Sequence, residues 1–171
     1  MHTVKAPFQG INLLMSAKVT ASGIAAAICK AQAKVKLYSS NFDGMLDGAS
    51  YAAVVGIVEN SATITMSNDN FNGNILLHGN GYAAAAVAYA AAGTKLELYN
   101  LIVRSYINEN RALKAGSIVA FIKSGATVSH NAVGSLTSGQ YCACGTNPLS
   151  EVRFTPAACT SQSFVSDRNE L

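Results

Sequence analysis

Reactive side chains are sparse in this chain, and their spacing decides which chemistries stay open. The central carboxylates are Asp43, Asp47, Glu59, Asp69, Glu97 and Glu109. A polysaccharide lyase or hydrolase needs clustered acids, often with a metal or a basic group poised over the sugar. Asp43 and Asp69 occupy related places in consecutive repeats and could approach one another. Both also flank Asn and Gly, which is ordinary turn chemistry. His2 is terminal, His78 sits in a Gly/Asn loop, and His130 takes a position that other repeats fill with Leu37, Met66 and Leu98. These three assemble no site, so no metal and no cofactor is expected. Neither a G-x-S-x-G nucleophile turn nor a phosphate-binding G-x-x-x-x-G-K-[ST] loop occurs. The residues point away from an enzyme.

Cysteine and threonine carry two further possibilities. Cys29 lies in an apolar run and reads as a buried free thiol, a small hydrophobe. Cys142, Cys144 and Cys159 fall in or beside the C-terminal tail, at spacings unlike those of zinc sites. A disulfide from Cys159 to Cys142 or to Cys144 closes a loop of about 15 residues, contributing about 3 kcal/mol in the chain-entropy model. Such a bond favours an oxidising location. An ice-binding face needs one outward Thr per repeat. Thr63, Thr65 and Thr127 alternate with Lys34, Lys36 and Lys95, so that array is broken.

The elements that position these residues follow from an internal repeat. Segments 23–37, 51–66, 82–98 and 115–130 each hold a small or aliphatic run, a short turn, and a strictly alternating stretch. The alternation places Val35, Ile64, Leu96 and Val128 at one equivalent, inward position. Asn41-Phe42-Asp43-Gly44-Met45-Leu46 matches Asn70-Phe71-Asn72-Gly73-Asn74-Ile75 in the next repeat, whereas Ile102 to Ile107 has lost both the Phe and the Gly. A period near 30 residues with β-branched alternation and Gly/Asn turns predicts stacked coils. The fold class is therefore all-β: a parallel β-helix, or β-solenoid, of about four to five coils with about three short strands per coil. The stacking core is expected to be Val35, Ile64, Leu96 and Val128, with Phe42 over Phe71 and Tyr51 over Tyr82. A helix competes for residues 82–92, where Ala dominates. The aligned runs Val54–Val58 and Ile118–Ile122 are rich in strand formers instead, and equivalent positions share one backbone path.

The string Val54-Val55-Gly56-Ile57-Val58-Glu59-Asn60-Ser61-Ala62-Thr63-Ile64-Thr65 resembles the GLUG-type repeat, with its aliphatic pair, glycine, short turn and alternating strand. The resemblance spans about residues 20–140. Gly56 is the retained motif glycine, and Ala27, Ala88 and Ala120 fall at or near that position elsewhere. Repeats of this type, in bacterial adhesins and protist surface proteins, imply a β-helical fold and bring no agreed catalytic residues.

Composition bounds what remains. The 171 residues carry 12 Lys plus Arg against 9 Asp plus Glu, and half are hydrophobic, with 28 Ala and no Trp. The small basic excess reads as scattered, so no nucleic-acid partner is expected. No run approaches the roughly 18 apolar residues of a membrane helix, so no membrane insertion is expected. The domain reading is an N-terminal extension over 1–9, a solenoid over 10–145 and an irregular Cys-containing tail over 146–171. With coil-like sequence beginning near residue 10, little chain is left for an N-terminal cap. Uncapped solenoid ends pair with further copies. The expected function is a non-enzymatic structural protein whose partner is itself, stacking end to end into extracellular or cell-surface filaments; the alternative location is cytoplasmic. The alternative function is an adhesive or carbohydrate-binding module of a larger surface protein, using outward aromatics such as Tyr38 and Tyr99 on glycans.

Overall fold

A computed structural model describes residues 3–103, 105–108, 112–116, 118–130 and 152–153. Each coil is built from five short strands joined by bends. The first coil holds β1 (Thr3–Val4), β2 (Phe8–Ile11), β3 (Leu14–Met15), β4 (Lys18–Ala21) and β5 (Ile24–Ala25). The second holds β6 (Ile28–Ala31), β7 (Val35–Tyr38), β8 (Asn41–Phe42), β9 (Met45–Gly48) and β10 (Tyr51–Ala52). The third holds β11 (Val55–Val58), β12 (Thr63–Ser67), β13 (Asn70–Phe71), β14 (Asn74–Leu77) and β15 (Gly81–Ala84). The fourth holds β16 (Val87–Ala90), β17 (Lys95–Tyr99), β18 (Ile102–Val103), β19 (Tyr106–Asn108) and β20 (Ala112–Gly116). β21 (Val119–Ile122) and β22 (Thr127–His130) begin a fifth, and β23 (Val152–Arg153) lies antiparallel on β19.

Every fifth strand pairs in parallel with its predecessor, giving five sheets that run along the stack. The fold is the expected all-β solenoid, with two corrections. Each coil contributes five strands rather than three, because two-residue strands at the bends also pair. The first coil begins at residue 3: Thr3–Val4 pairs with Lys30–Ala31, and Phe8–Ile11 with Val35–Tyr38. Residues 3–9 therefore belong to the stack and are not an extension. Residues 82–92 are strand, bend and strand, as their alignment with neighbouring coils requires.

The uneven period has a local cause. One coil step spans 27 residues from Phe8 to Val35, 29 from Val35 to Ile64, and 32 from Ile64 to Leu96 and again to Val128. The longer third coil first gains residues in the turn that carries Asn60 and Ser61, both in the left-handed region. Gly93 and Gly125 take the equivalent place of Ser61 in later coils with φ of 77° and 87°, where the missing Cβ removes the steric cost. A second column of left-handed residues, Asn12, Ser39, Asn68 and Asn100, makes one corner in each of four coils.

Inside, like stacks on like. Val35, Ile64 and Leu96 form one fully buried ladder in register. Val128 pairs next to Leu96 but is half-buried, since it lies in the last described strand of its sheet. Phe42 and Phe71 stack in the core, with centroids 5.3 Å apart and ring planes 13° apart. Tyr51 and Tyr82 stack at 5.6 Å, but on the flank rather than in the core. Strand alternation turns Ala52 and Ala83 inward and leaves both tyrosines half-buried. Tyr89 meets both rings edge-on, and Phe121 lies 5.4 Å from Tyr89.

Backbones come close where Ala17, Gly44 and Gly73 stack. A Cβ added to Gly73 would lie 2.2 Å from the Gly44 carbonyl oxygen, and one on Gly44 would lie 2.2 Å from that of Ala17. Glycine is retained there for close approach. Gly56 answers a different need: its Cβ would meet the Ile24 side chain at 2.4 Å. The residue in register with it one coil earlier is Cys29, not Ala27.

Candidate functional site

Among the described residues the carboxylates are placed singly, each in its own bond; Glu109 lies outside them. Asp47 meets His78 at 2.7 Å on the surface, and Glu59 accepts from Gln32 at 2.6 Å with Lys30 at 3.8 Å. Glu97 accepts from Thr65 at 2.7 Å and pairs with Lys95 at 2.7 Å. The hydrogen bond from Lys95, then that from Thr65, holds the Glu97 carboxyl below its usual range, and Glu97 in turn raises the Lys95 ammonium. Thr65 thus belongs to a mixed column, Gln9–Lys36–Thr65–Glu97, rather than to a threonine array.

Asp43 and Asp69 do not meet. Asp43 is exposed and stacks in register with Asn72, whereas Asp69 is fully buried at the corner, one coil above Ser40. The Ser40 N–H donates to Asp69 Oδ1 at 2.7 Å and the Ser67 N–H to Oδ2 at 3.1 Å. Burial pushes the Asp69 carboxyl up to about 6, against the pull of these two donors. Below it, the Leu13 N–H donates to Ser40 Oγ at 3.2 Å. This relay joins three coils at the corner where left-handed residues turn the chain. Its character is structural: the sequence pattern Ser-x-Asp-Asn looks like an ordinary turn and conceals it.

Cys29 is a buried free thiol. The expected disulfide partners Cys142, Cys144 and Cys159 lie outside the described residues. Among the described residues, no three His, Cys, Asp or Glu side chains cluster as a metal site would require. Tyr38 and Tyr99 share one outward column of the second sheet, with Ser67 between them.

The feature that departs most from the rest of the molecule is the first coil. Phe8 is 41% exposed, Ile11 55%, Leu13 39% and Leu14 70%. These are the exposed large hydrophobics among the described residues, and all fall within one turn of chain. Phe8 sits at the foot of the Val35–Ile64–Leu96 ladder, with no strand beneath it in its sheet. Ile11 and Leu14 stand under Tyr38 and Asn41 on outward columns. A hollow of about 170 Å³ beside them is lined by Pro7, Phe8, Gln9, Lys34 and Lys36. No protein-family model, curated protein or solved structure matches the chain.

Proposed function

We propose that this chain is a non-enzymatic structural protein that stacks end to end into filaments outside the cell or at its surface. One observation carries the reading: β1 to β5 form an open edge, and the core ladder ends there on an exposed Phe8. An uncovered parallel edge is a template for a further strand. Among the described strands, β1 and β21 are opposite edges of one sheet, and β2 and β22 of another. A second copy therefore continues both sheets in the same parallel sense, and such head-to-tail contacts grow without closing. The GLUG-type resemblance around Gly56 supports a surface location, and a tail disulfide through Cys159 belongs to the same proposal.

The test removes a donor from the open edge without touching the internal ladder. Phe8 and Asn12 direct their N–H groups to Lys34 and Tyr38 of the second coil at 2.9 and 3.0 Å. Alternate residues such as Gln9 turn theirs outward. Sedimentation velocity and negative-stain microscopy should show rods that lengthen with protein concentration for the parent and single particles for Gln9→Pro. A parent that stays monomeric at high concentration sinks the proposal.

A second reading rests on Tyr38 and Tyr99. Two coil spacings put their backbones about 10 Å apart on one flat face, a platform on which successive rings of an extended glycan can stack. Saturable glycan binding lost in Tyr38→Ala and Tyr99→Ala, with no fibre formation, favours this adhesive module over assembly.

A further inference from the structure

We propose that the outward rim of the first coil, with Ile11 and Leu14 and the hollow that Lys34 and Lys36 line along β2, docks on an anionic phospholipid bilayer. Three observations converge on it. The apolar exposure is local: Tyr38, Ser67 and Tyr99 stand above Ile11, and Asn41, Asn70 and a half-buried Ile102 above Leu14, whereas Ile11 and Leu14 are 55% and 70% exposed. Asparagine, serine and tyrosine serve the fold at most of these positions, so the fold does not require an exposed leucine and isoleucine side by side in the first coil. Contiguous exposed apolar residues of this kind mark interaction surfaces.

Charge selects the partner. Lys5, Lys18, Lys30, Lys34 and Lys36 all precede Asp43, the first acidic residue of the chain. The basic excess is therefore concentrated in the first two coils, where Lys30 is paired with Glu59 and Lys34 and Lys36 line the hollow beside Phe8. Residues 43–94 then hold Asp43, Asp47, Glu59 and Asp69 with no Lys or Arg. A basic, apolar tip fits a surface with anionic headgroups over hydrocarbon, where apolar side chains enter to about 5–10 Å and each lysine adds attraction.

The hollow supplies the local geometry. Lys34 and Lys36 present two ammonium groups and Gln9 an amide, over a floor of Pro7 and Phe8. At the free first-coil end of a stack, a phosphodiester between the lysines, with its acyl chains towards Phe8, satisfies both kinds of lining. Ile11 and Leu14 point off the flank rather than along the stack, so end-to-end growth leaves them available. The contact is peripheral and needs no spanning segment.

Vesicle flotation separates this contact from assembly, because filaments sediment whereas lipid-bound protein rises. The full chain is mixed at low salt with phosphatidylcholine vesicles, with or without a minor fraction of phosphatidylserine. Flotation is expected with phosphatidylserine and not with phosphatidylcholine alone. The double variant Lys34→Gln/Lys36→Gln should lose about twenty-five-fold in affinity, at about fivefold per lysine. Ile11→Ser/Leu14→Ser should lose at least as much while melting like the parent. Thr20→Pro, which removes an outward-turned N–H from β4 away from the hollow, should float as well as the parent even where it blocks stacking. Absence of flotation, equal flotation on neutral vesicles, or retention in both double variants overturns the proposal. So does displacement by inorganic phosphate at constant ionic strength, which would make the hollow a free-anion site; capture of Lys34 and Lys36 by an acidic protein instead of vesicles counts against it equally.

Discussion

Raising the pH through 6 should weaken this fold through one carboxylate, Asp69. The side chain is fully buried and its carboxyl is pushed up from 3.8 to about 6, chiefly by burial. A folded-state value above the unfolded one means that the native chain holds the proton more tightly. The associated stability is fully present below about pH 3.8 and is lost as the pH rises through about 6. The whole difference amounts to about 3 kcal/mol, and about half of it falls between pH 5 and pH 7.5. Thermal or urea unfolding across that interval measures it, with Asp69→Asn as the reference. The amide offers one acceptor oxygen where Ser40 and Ser67 supply two N–H donors. The variant is therefore weaker at every pH, by about 1–3 kcal/mol, but without the carboxylate's slope. Glu97, held low, and Lys95, held high, titrate outside the interval, and the Asp47–His78 pair is common to both chains. Equal slopes for parent and variant would refute the argument.

The interior and the close backbone contacts give two sharper tests. Ile64 is fully buried between Val35 and Leu96, so Ile64→Asp should yield no folded protein by circular dichroism, and Ile64→Ala should cost about 2–5 kcal/mol. Gly73→Ala brings a Cβ to 2.2 Å from the Gly44 carbonyl, whereas the same change at Gly23 meets nothing within 4 Å. The first should lower the melting temperature strongly and the second leave it near the parent's.

Much of the architecture was legible because stacked coils place identical side-chain types at identical heights. Val35, Ile64 and Leu96 announce their register through alternation, and Phe42 and Phe71 through a repeated Asn-Phe-x-Gly frame. The first coil escaped for a physical reason. Thr3–Val4 and Phe8–Ile11 lack the Ala-rich run and are separated by Pro7, so only backbone pairing with the second coil identifies them. Tyr51 and Tyr82 were correctly paired but misplaced inside. A two-residue strand offers too little alternation to tell which of Tyr51 and Ala52 faces the core. Asp69 was hidden by its neighbours: Asn68 and Asn70 mark a turn, and nothing local reveals that the Ser40 amide arrives from the previous coil. The rim at Ile11 and Leu14 went unread because exposure is defined only by the columns above it.

Charge along the stack ties the two proposals together and sets them apart by salt. The first 42 residues hold five lysines and no acid, residues 43–94 hold four acids and no base, and residues 95–130 return to five bases against Glu97 and Glu109. Among the described residues, the first coil carries Lys5 and Lys18 and the begun fifth coil Lys123, with no acid in either, around a negative waist. Head-to-tail growth brings like charges together, and added salt screens them over a Debye length of about 10 Å at 0.1 M. Assembly should accordingly strengthen with ionic strength. Docking on anionic lipid uses the same lysines as an attraction and should weaken over the same range. A light-scattering titration with NaCl on the free protein, beside a flotation series on phosphatidylserine vesicles, should give curves of opposite sign. Parallel curves would mean that the basic first coil governs only one of the two contacts, and the variant that moves the curve, Thr20→Pro or Lys34→Gln/Lys36→Gln, identifies which.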